Sequence, residues 1–337
     1  MKITLALDAM GGDHGPAATV PAALYELVKY QDLHLILVGQ QEMLERMLTG
    51  NKSAVQDRLR IHPAKEVVEM HEPPSLALRN KKDSSMRVAI ELVRDGIADA
   101  CVSAGNTGAL MAMARFVLKM LPGIDRPAIC SVMPGIAGDT HMLDLGANVD
   151  SSPEQLFQFA VMGAQLTSAL HNKPRPTVGL LNVGAEEIKG NENVKQAAAL
   201  LSDSHLNYIG FVEGNDIFTG KIDVIVCDGF VGNIALKASE GVAEFLMHNA
   251  KEQFRKSLYG RIAAIVSMPI LRDIRRKIDP RRYNGASLLG LRGIVIKSHG
   301  GADKISFGYA IEEAMLEVQK NVPQRISTEL HKLFPEG

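Results

Sequence analysis

Short apolar runs alternate with longer stretches of helical periodicity along the whole chain. Strands are predicted at 3–7, 33–38, 100–103, 141–145, 178–182, 208–212, 224–227 and 294–297. Helices are predicted at 17–28, 41–48, 86–95, 109–121, 191–202, 233–250 and 305–320, and another begins after Ser151-Ser152-Pro153. Such alternation is typical of a mostly parallel twisted sheet with helices on both faces. The pattern therefore predicts one large α/β domain over residues 1–337.

Composition narrows the class of protein and its compartment. The 37 basic and 38 acidic side chains nearly balance, which argues against a nucleic-acid binder. Cys101, Cys130 and Cys227 are scattered in apolar runs, as in proteins of a reducing cytosol, and the chain has no zinc-type Cys/His spacing. It also has no apolar run of about 18 residues and no signal-peptide pattern. We therefore expect a soluble, intracellular protein.

Glycine, asparagine and other polar residues concentrate where the predicted strands end. Ligands of open parallel sheets bind beyond the carboxyl ends of the strands, and free N–H groups at helix starts attract anions. Each turn alone is also consistent with a simple tight connection, but several together predict a site for a phosphate or an oxyanion. Its candidate residues are Gly11, Gly12, Ser103, Asn106, Thr107, Asn148, Asn191 and Asn233.

Three side chains in these turns are candidates for catalysis. Lys189 lies beside Gly190 and Asn191, where its charge could face the anion, although a solvated surface lysine fits equally well. His299 lies in a Gly-rich loop as a candidate acid, base or hydrogen-bond donor, or as an ordinary loop histidine. Asp228 follows a predicted strand directly. Its neighbour Cys227 has no evident base partner, which favours a buried strand cysteine.

The chain carries neither of the two standard nucleotide-binding motifs. No G-x-G-x-x-G follows a strand, and Gly214 to Gly220-Lys221 has the wrong spacing for a P-loop. We therefore predict no cofactor and no metal.

Residues 254–283 predict a basic amphipathic helical hairpin within the domain. The segment holds nine Lys or Arg against two Asp, and Pro269 is expected to break it into two helices. Ile262 and Ile265 lie on an apolar face of the first helix, and Arg272, Arg275 and Arg276 lie on the basic face of the second. A dimer interface, a membrane surface and an acidic carrier protein all fit this pattern. Arg79, Lys81 and Lys82, expected in a loop, form a second basic segment that could dock an acidic partner or be merely solvated.

Seven motifs together resemble one known family. They are DAMGGD (8–13), SAGNTGA (103–109), LDLGAN (143–148), LLNVGAEEIKGN (180–191), GFVEGND (210–216), CDGFVGN (227–233) and GASLLGLRGIVIKSHG (285–300). They run from end to end and resemble the bacterial acyl-[acyl-carrier-protein]:phosphate acyltransferases of phospholipid synthesis.

The resemblance implies a fold, a reaction and partners. The implied fold is Rossmann-like, similar to phosphotransacetylases and isocitrate or isopropylmalate dehydrogenases. The implied reaction is reversible transfer of a fatty acyl group from acyl carrier protein to inorganic phosphate. The resemblance further implies a homodimer, a cytoplasmic protein associated peripherally with the membrane, and a downstream membrane-bound glycerol-3-phosphate acyltransferase as a further partner.

Two other classes of function fit parts of the sequence. A decarboxylating dehydrogenase of similar fold would need NAD and a divalent metal, for which the strand-end carboxylates Asp8, Asp144 and Asp228 are candidates. A non-catalytic membrane scaffold would use only the 254–283 hairpin. The density of Gly and Asn at the strand ends speaks against such a scaffold.

Overall fold

The computed structural model describes residues 1–49 and 56–333, and within that part the side chains of residues 56 and 274–278 lie outside the description. The strands are β1 Ile3–Asp8, β2 Leu33–Gly39, β3 Leu59–Pro63, β4 Ala100–Ser103, β5 Ala128–Met133, β6 Thr140–Leu143, β7 Thr177–Leu181, β8 Asn207–Val212, β9 Val224–Val226, β10 Ala286–Leu289 and β11 Ile294–Lys297. The helices are α1 Pro16–Lys29, α2 Gln41–Leu48, α3 Pro74–Asn80, α4 Ser85–Arg94, α5 Thr107–Leu118, α6 Pro153–His171, α7 Glu192–Ser202, α8 Gly229–Arg255, α9 Leu258–Val266, α10 Met268–Ile278, α11 Lys304–Lys320 and α12 Val322–Leu333.

These eleven strands form one mixed sheet in the order β3-β2-β1-β4-β11-β10-β5-β6-β9-β7-β8. The strands from β3 to β11 in this order are mutually parallel, and so are those from β6 to β8. Between the two groups, the pairs β11/β10, β10/β5 and β5/β6 are all antiparallel. Three successive reversals make the second group run opposite to the first, so their carboxyl ends lie at opposite edges of the sheet.

Helices cover both faces of this sheet. On one face, Ala6, Cys101, Ile129, Met142 and Val295 share a buried core with residues of α4 and α5, and Leu236 of α8 packs against it. The alternate strand residues point the other way, because successive side chains of a strand face opposite sides. Two further cores on that second face are completed by α1 and α11 and by α6, α7 and α12. The result is a three-layer α/β arrangement, and the predicted fold class is confirmed.

The structure corrects several local predictions. The strict strand–helix alternation is wrong, because β5 and β6 follow each other directly, as do β10 and β11, and β3, β5 and β10 were not predicted. Arg79 and Lys81 were expected in a loop, but Arg79 lies in the last turn of α3 and Lys81 caps it. The helix predicted at 233–250 runs from Gly229 to Arg255, so Asn233, predicted in the turn before it, lies in the helix. Other boundaries agree closely, and Ser84 caps α4 by accepting a hydrogen bond from the Arg87 N–H.

The 254–283 segment contains the two predicted helices, attached to an unusually long α8. At 27 residues, α8 is about 40 Å long, and residues 241–250 are all exposed. Pro269 does not interrupt a helix, because α9 ends at Val266 and Pro269 lies in the first turn of α10, where its missing N–H costs no hydrogen bond. No residue of α9 is buried in the isolated chain. The end of α8, α9 and α10 therefore extend from the body of the domain.

Candidate active site

Three polar residues form a row across adjacent strands at the carboxyl ends of β1, β4 and β11. Asp8 is paired in register with Ser103, and Ser103 with Lys297. Each lies two residues beyond a side chain of the buried core on the α5 face, so all three point to that face. All three are at least 92% buried. Polar groups are rarely buried so deeply without a specific role, which makes this row the centre of the candidate site.

Ser103 is hydrogen-bonded both to Asp8, which ends β1, and to the turn that follows β4. Its hydroxyl donates to Oδ2 of Asp8 at 2.6 Å, and its oxygen accepts from the Gly105 N–H at 3.1 Å. Burial raises the pKa of Asp8, while the hydrogen bonds from Ser103 and Ser85 partly oppose that rise. The pair therefore fixes the turn that leads from β4 into α5.

Lys297 supplies a buried cation beside this pair. Its ammonium donates to the carbonyls of Ala104 and Ser298. Burial lowers the pKa of Lys297 to about 8, against the opposing effects of Asp8 and Asp13. A lysine with a pKa near 8 is still mostly protonated at neutral pH, so an ammonium group lies next to the turns that were predicted to bind an anion. Lys297 is not among the site residues predicted from the sequence.

Two glycine turns pack over the row. A side chain at Gly12 would place its Cβ 2.9 Å from both the Ala104 Cβ and the Gly300 carbonyl, and the backbone there has φ of +88°. One at Gly11 would lie 2.5 Å from Asp8 Oδ2. The neighbouring Asp13 N–H donates to the Gly300 carbonyl at 2.8 Å. Only glycine therefore allows the β1 and β11 turns to approach each other so closely.

His299 belongs to the same group of turns and is exposed. Its Nδ1 accepts a hydrogen bond from the Gly301 N–H at 3.1 Å, and its own N–H donates to Oδ1 of Asn284. The Nδ1 atom is thus occupied, and Nε2 is the ring atom that remains for a ligand.

The Asn106 side chain is fully used in holding the structure together. Its Oδ1 caps α5 by accepting from the Ala109 N–H, and its Nδ2 donates to the carbonyls of Met70 and Glu72, both at 2.9 Å. Its side chain therefore has no hydrogen to donate to a phosphate. The backbone N–H groups of Thr107 and Gly108, which begin the helix, are the donors left for a ligand in this turn.

The turns after β6 and β9 form a second group around Asp144. This buried carboxylate accepts from the N–H groups of Ile129, Ala147 and Asn148 and from Nδ2 of Asn148. Asp228 caps α8 by accepting from the Val231 N–H, and the Asn233 side chain lies against Gly146. These contacts give Asp144, Asn148 and Asp228 clear structural roles.

Asn191 and Lys189 lie beyond β7 in this second group. Asn191 caps α7 by accepting from the Val194 N–H. The Lys189 ammonium, 45% exposed, pairs with Glu186 at 2.8 Å, which raises the pKa of Lys189. Of the predicted site residues, the structure thus groups Gly11, Gly12, Ser103, Asn106, Thr107 and His299 at one edge of the sheet. It groups Asn148, Lys189, Asn191, Asp228 and Asn233 at the other.

A cavity of about 370 Å³ connects the two groups across the face of the sheet. One wall is the side of α5 from Thr107 to Arg115, and the other consists of Arg126, Pro127 and the turn at 146–148. Pockets for small organic ligands typically have this volume. Arg115 and Arg126 were not predicted as site residues, because in the sequence they are far from the strand-end turns that contain the predicted ones.

The basic residues predicted to meet partners lie outside this cavity. Arg79 and Lys82 are exposed at the end of α3, and Lys81 is half-buried. On α9, Ile262 and Ile265 are 54% and 70% exposed, and Arg272 on α10 is also exposed. Arg275 and Arg276 belong to the helix, but their side chains lie outside the described part of the structure. Cys227 is buried, as predicted, and burial raises the pKa of its thiol.

The carboxylates that a metal-dependent dehydrogenase would need are not grouped. Asp8 lies at the first edge of the sheet, whereas Asp144 and Asp228 lie at the second. Within residues 1–49 and 56–333, no three His, Cys, Asp or Glu side chains lie together as metal ligands would. None of the helices in those ranges combines the length and apolarity needed to cross a bilayer.

Known proteins share this fold and much of this sequence. A model of the family described as "Fatty acid synthesis protein" matches residues 3–325. The phosphate acyltransferase of Methylococcus capsulatus is 60% identical over 331 residues, which cover 98% of each chain. A phosphotransacetylase from Streptococcus pyogenes superposes with a TM-score of 0.61 at 18% identity, covering 95% of this chain and 94% of its own. For a 4-hydroxythreonine-4-phosphate dehydrogenase from Klebsiella pneumoniae the TM-score is 0.52 at 15% identity, with 95% and 99% coverage.

These comparisons define the class of protein and then its family. The fold is that of the phosphotransacetylases, as the resemblance implied, and the dehydrogenase shares it too, so the fold alone does not choose between the two activities. The chain belongs to the fatty acid synthesis protein family, and it is an enzyme of the phosphate acyltransferase type.

Proposed function

We propose that the protein transfers a fatty acyl group reversibly between acyl carrier protein and inorganic phosphate, giving acyl phosphate for phospholipid synthesis. The observation that carries this proposal is the 60% identity, over 98% of both chains, to a phosphate acyltransferase. The acyl donor is inferred from the seven motifs that resemble the carrier-dependent family. The separation of Asp8 from Asp144 and Asp228 also argues against the metal-dependent dehydrogenase that the sequence left open.

The proposed reaction needs no nucleophile from the protein. A phosphate oxygen attacks the thioester carbonyl carbon, the carbon–sulfur bond breaks, and the phosphate proton passes to the departing carrier thiolate. The protein has to hold two anions close together, namely the phosphate and the oxygen that becomes negative in the transition state. Fixed N–H dipoles and a cation in a partly dry site stabilise such charge effectively.

The first group of turns contains the cation and the N–H groups that are needed to bind these anions. The Lys297 ammonium supplies the cation, and the N–H groups at the start of α5 supply dipoles directed at an anion. The Ser103–Asp8 bond holds the turn between them in place. His299, whose Nδ1 accepts from the Gly301 N–H, is the candidate to donate a hydrogen bond from Nε2 to an anion in this site.

Three kinds of partner accompany this function. Acyl carrier proteins are acidic, so the exposed cations of α3 and α10 are candidate docking surfaces. The apolar side chains that α8 exposes between residues 241 and 250, including Phe245 and Leu246, support a homodimer. The exposed apolar face of α9 beside basic α10 supports peripheral attachment of a cytoplasmic protein to an acidic membrane. There the product could pass to a membrane-bound glycerol-3-phosphate acyltransferase.

One assay tests the reaction directly. The purified protein is mixed with palmitoyl acyl carrier protein and phosphate, and acyl phosphate is followed by ³¹P NMR, with reactions lacking phosphate or enzyme as controls. We expect acyl phosphate and free carrier thiol in equal amounts, without NAD and in the presence of EDTA. Absence of acyl phosphate, or reduction of NAD with a hydroxy acid, would contradict the proposal.

A further inference from the structure

The cavity beside α5 contains two arginines for which the proposed reaction has no use so far. Arg115 projects from the exposed side of α5, and Arg126 lies just before β5, opposite it. Neither forms an ion pair with any residue in the described ranges. Asp125, next to Arg126, is instead hydrogen-bonded to Gln158. Two arginines that line one cavity and have no ion-pair partner in these ranges suit an anion with several oxygens.

The two ends of the cavity differ, because the arginines lie at only one of them. Thr107 and Arg115 are eight positions apart on α5, and at 1.5 Å per residue this places them about 12 Å apart. The Thr107 end adjoins the turn after Ser103, where the reaction is proposed, so the arginine end lies farther away than a reacting phosphate requires. Between the ends, Met111, Ala112 and Pro127 form a mainly apolar lining. The shape suits an elongated ligand with a reactive group at one end and a phosphate at the other.

Under the proposed function, the acyl donor is such a ligand. The acyl group of a carrier protein is joined through a thioester to a pantetheine arm, a flexible chain of methylenes and amides that ends in a phosphodiester. We propose that this arm lies along α5, and that Arg115 and Arg126 bind its phosphodiester. The arginines therefore anchor the donor two helical turns from the reacting carbonyl. This inference rests on the proposed function for the identity of the donor.

A binding measurement tests the anchor without any need for turnover. Free 4′-phosphopantetheine and pantetheine, which lacks the phosphate, are titrated calorimetrically into the wild type, Arg115→Gln and Arg126→Gln. We expect the wild type to prefer the phosphorylated arm by about tenfold or more, and each variant to lose most of that preference. Arg94→Gln, which removes an exposed arginine of α4 that pairs with Asp95, is the matched control and should bind as the wild type does. Equal binding of both probes to the wild type, or an unchanged preference in both variants, would overturn the proposal.

Steady-state kinetics distinguish the arm from inorganic phosphate as the occupant. If the arm is bound, both variants raise the KM for palmitoyl acyl carrier protein about tenfold and leave the KM for phosphate unchanged. Turnover of palmitoyl-pantetheine, which has no phosphate to lose, should be the same in the wild type and the variants. A higher KM for inorganic phosphate instead would assign the arginines to the acceptor and overturn the proposal. If the wild type forms no acyl phosphate but still distinguishes the two probes, the proposed function fails while the anchor stands.

Discussion

The hydroxyl of Ser103 donates a hydrogen bond to the carboxylate of Asp8 at 2.6 Å, although 95 positions separate the two residues. The bond joins the carboxyl ends of adjacent parallel strands, and it directs the Ser103 oxygen toward the Gly105 N–H. Two turns from distant parts of the chain are thus connected through one hydroxyl. Its removal affects both at once.

Ser103→Ala is expected to impair both stability and activity. It leaves a buried carboxylate and a buried N–H without this partner, which costs about 1–3 kcal/mol of the free energy of unfolding. Because the turn into α5 loses its support, kcat/KM should fall as well. Urea unfolding and the acyl phosphate assay measure the two effects. Ser202→Ala is the control, because the Ser202 hydroxyl is exposed and donates to the Ala198 carbonyl of its own helix. Wild-type stability in Ser103→Ala would show that the bond contributes nothing.

Lys297 is expected to make phosphate binding depend on pH near 8. Its folded-state pKa of about 8 lies below the ordinary 10.5, so the ammonium loses its proton as the pH rises through 8. The KM for phosphate should therefore increase above pH 8, and Lys297→Met should have a high KM at every pH. Loss of a charged contact corresponds to about 10- to 150-fold in KM or kcat, at 1.5–3 kcal/mol.

The same variant separates catalysis from stability. The lowered pKa shows that burying the charge is unfavourable, so Lys297→Met should unfold no more easily than the wild type at pH 7. Lys189→Ala, measured in parallel, tests the cation of the second group. If Lys189→Ala raises the KM for phosphate and Lys297→Met does not, the anion binds in the second group of turns.

His141 is expected to make the protein sensitive to acid. It lies in β6, and neither ring nitrogen has a hydrogen-bond partner among the described residues. Burial lowers its pKa to about 3, below the ordinary 6.5. Between pH 6.5 and 3 the unfolded chain therefore binds a proton that the folded chain does not. The free energy of unfolding then decreases as the pH is lowered, by up to about 1.4 kcal/mol per pH unit.

Replacement of this histidine should remove that contribution. His141→Leu eliminates two buried polar atoms, so we expect a smaller loss of stability between pH 6.5 and 4 and no loss at pH 7.5. Urea unfolding at several pH values measures the slope, with exposed His331→Leu as the control. An unchanged slope in His141→Leu would mean that the acid sensitivity arises elsewhere.

The exposed face of α9 is expected to bind acidic membranes. Ile262 and Ile265 are on this face, and replacing both with Asp removes apolar contact and adds negative charge. The double variant should no longer sediment with anionic vesicles, while its size on gel filtration and its turnover of soluble substrate stay unchanged. Ile97→Asp, at a site 46% exposed on the body of the domain, is the control. A monomeric double variant would identify the face as a subunit interface, and retained sedimentation would place the membrane contact elsewhere.

Strands and helix starts could be predicted where they depend only on residues that are adjacent in the sequence. Apolar runs predict β1, β4 and β11. The helices predicted at 86–95 and 191–202 begin within one residue of α4 and α7, because a helix start capped by a residue such as Ser84 or Asn191 depends only on the next few residues. Strand direction is different, since it depends on which strands become neighbours. β5 and β10 were not predicted, yet their antiparallel pairings reverse the sheet and move half of the predicted turns to the opposite edge.

The site residues that were missed share a similar cause. Lys297 ends an apolar strand, where a lysine usually marks the return to solvent, and only its pairing with Ser103 places it in the interior. Arg115 looks like any exposed helical arginine until Pro127 and Ala147 are placed opposite it. Neither position can be recognised from its own sequence neighbours.

The position of β10 and β11 also determines the order in which the sheet can be completed during synthesis. These two strands, residues 286–297, lie in the middle of the sheet between β4 and β5, yet they are the last strands to leave the ribosome. A nascent chain ending at residue 280 can form only two separate sheets, with the edges of β4 and β5 unpaired. Such edges invite pairing with other chains, so a product that stops before β10 is an aggregation hazard, which synthesis through residue 297 removes by inserting the β10–β11 hairpin.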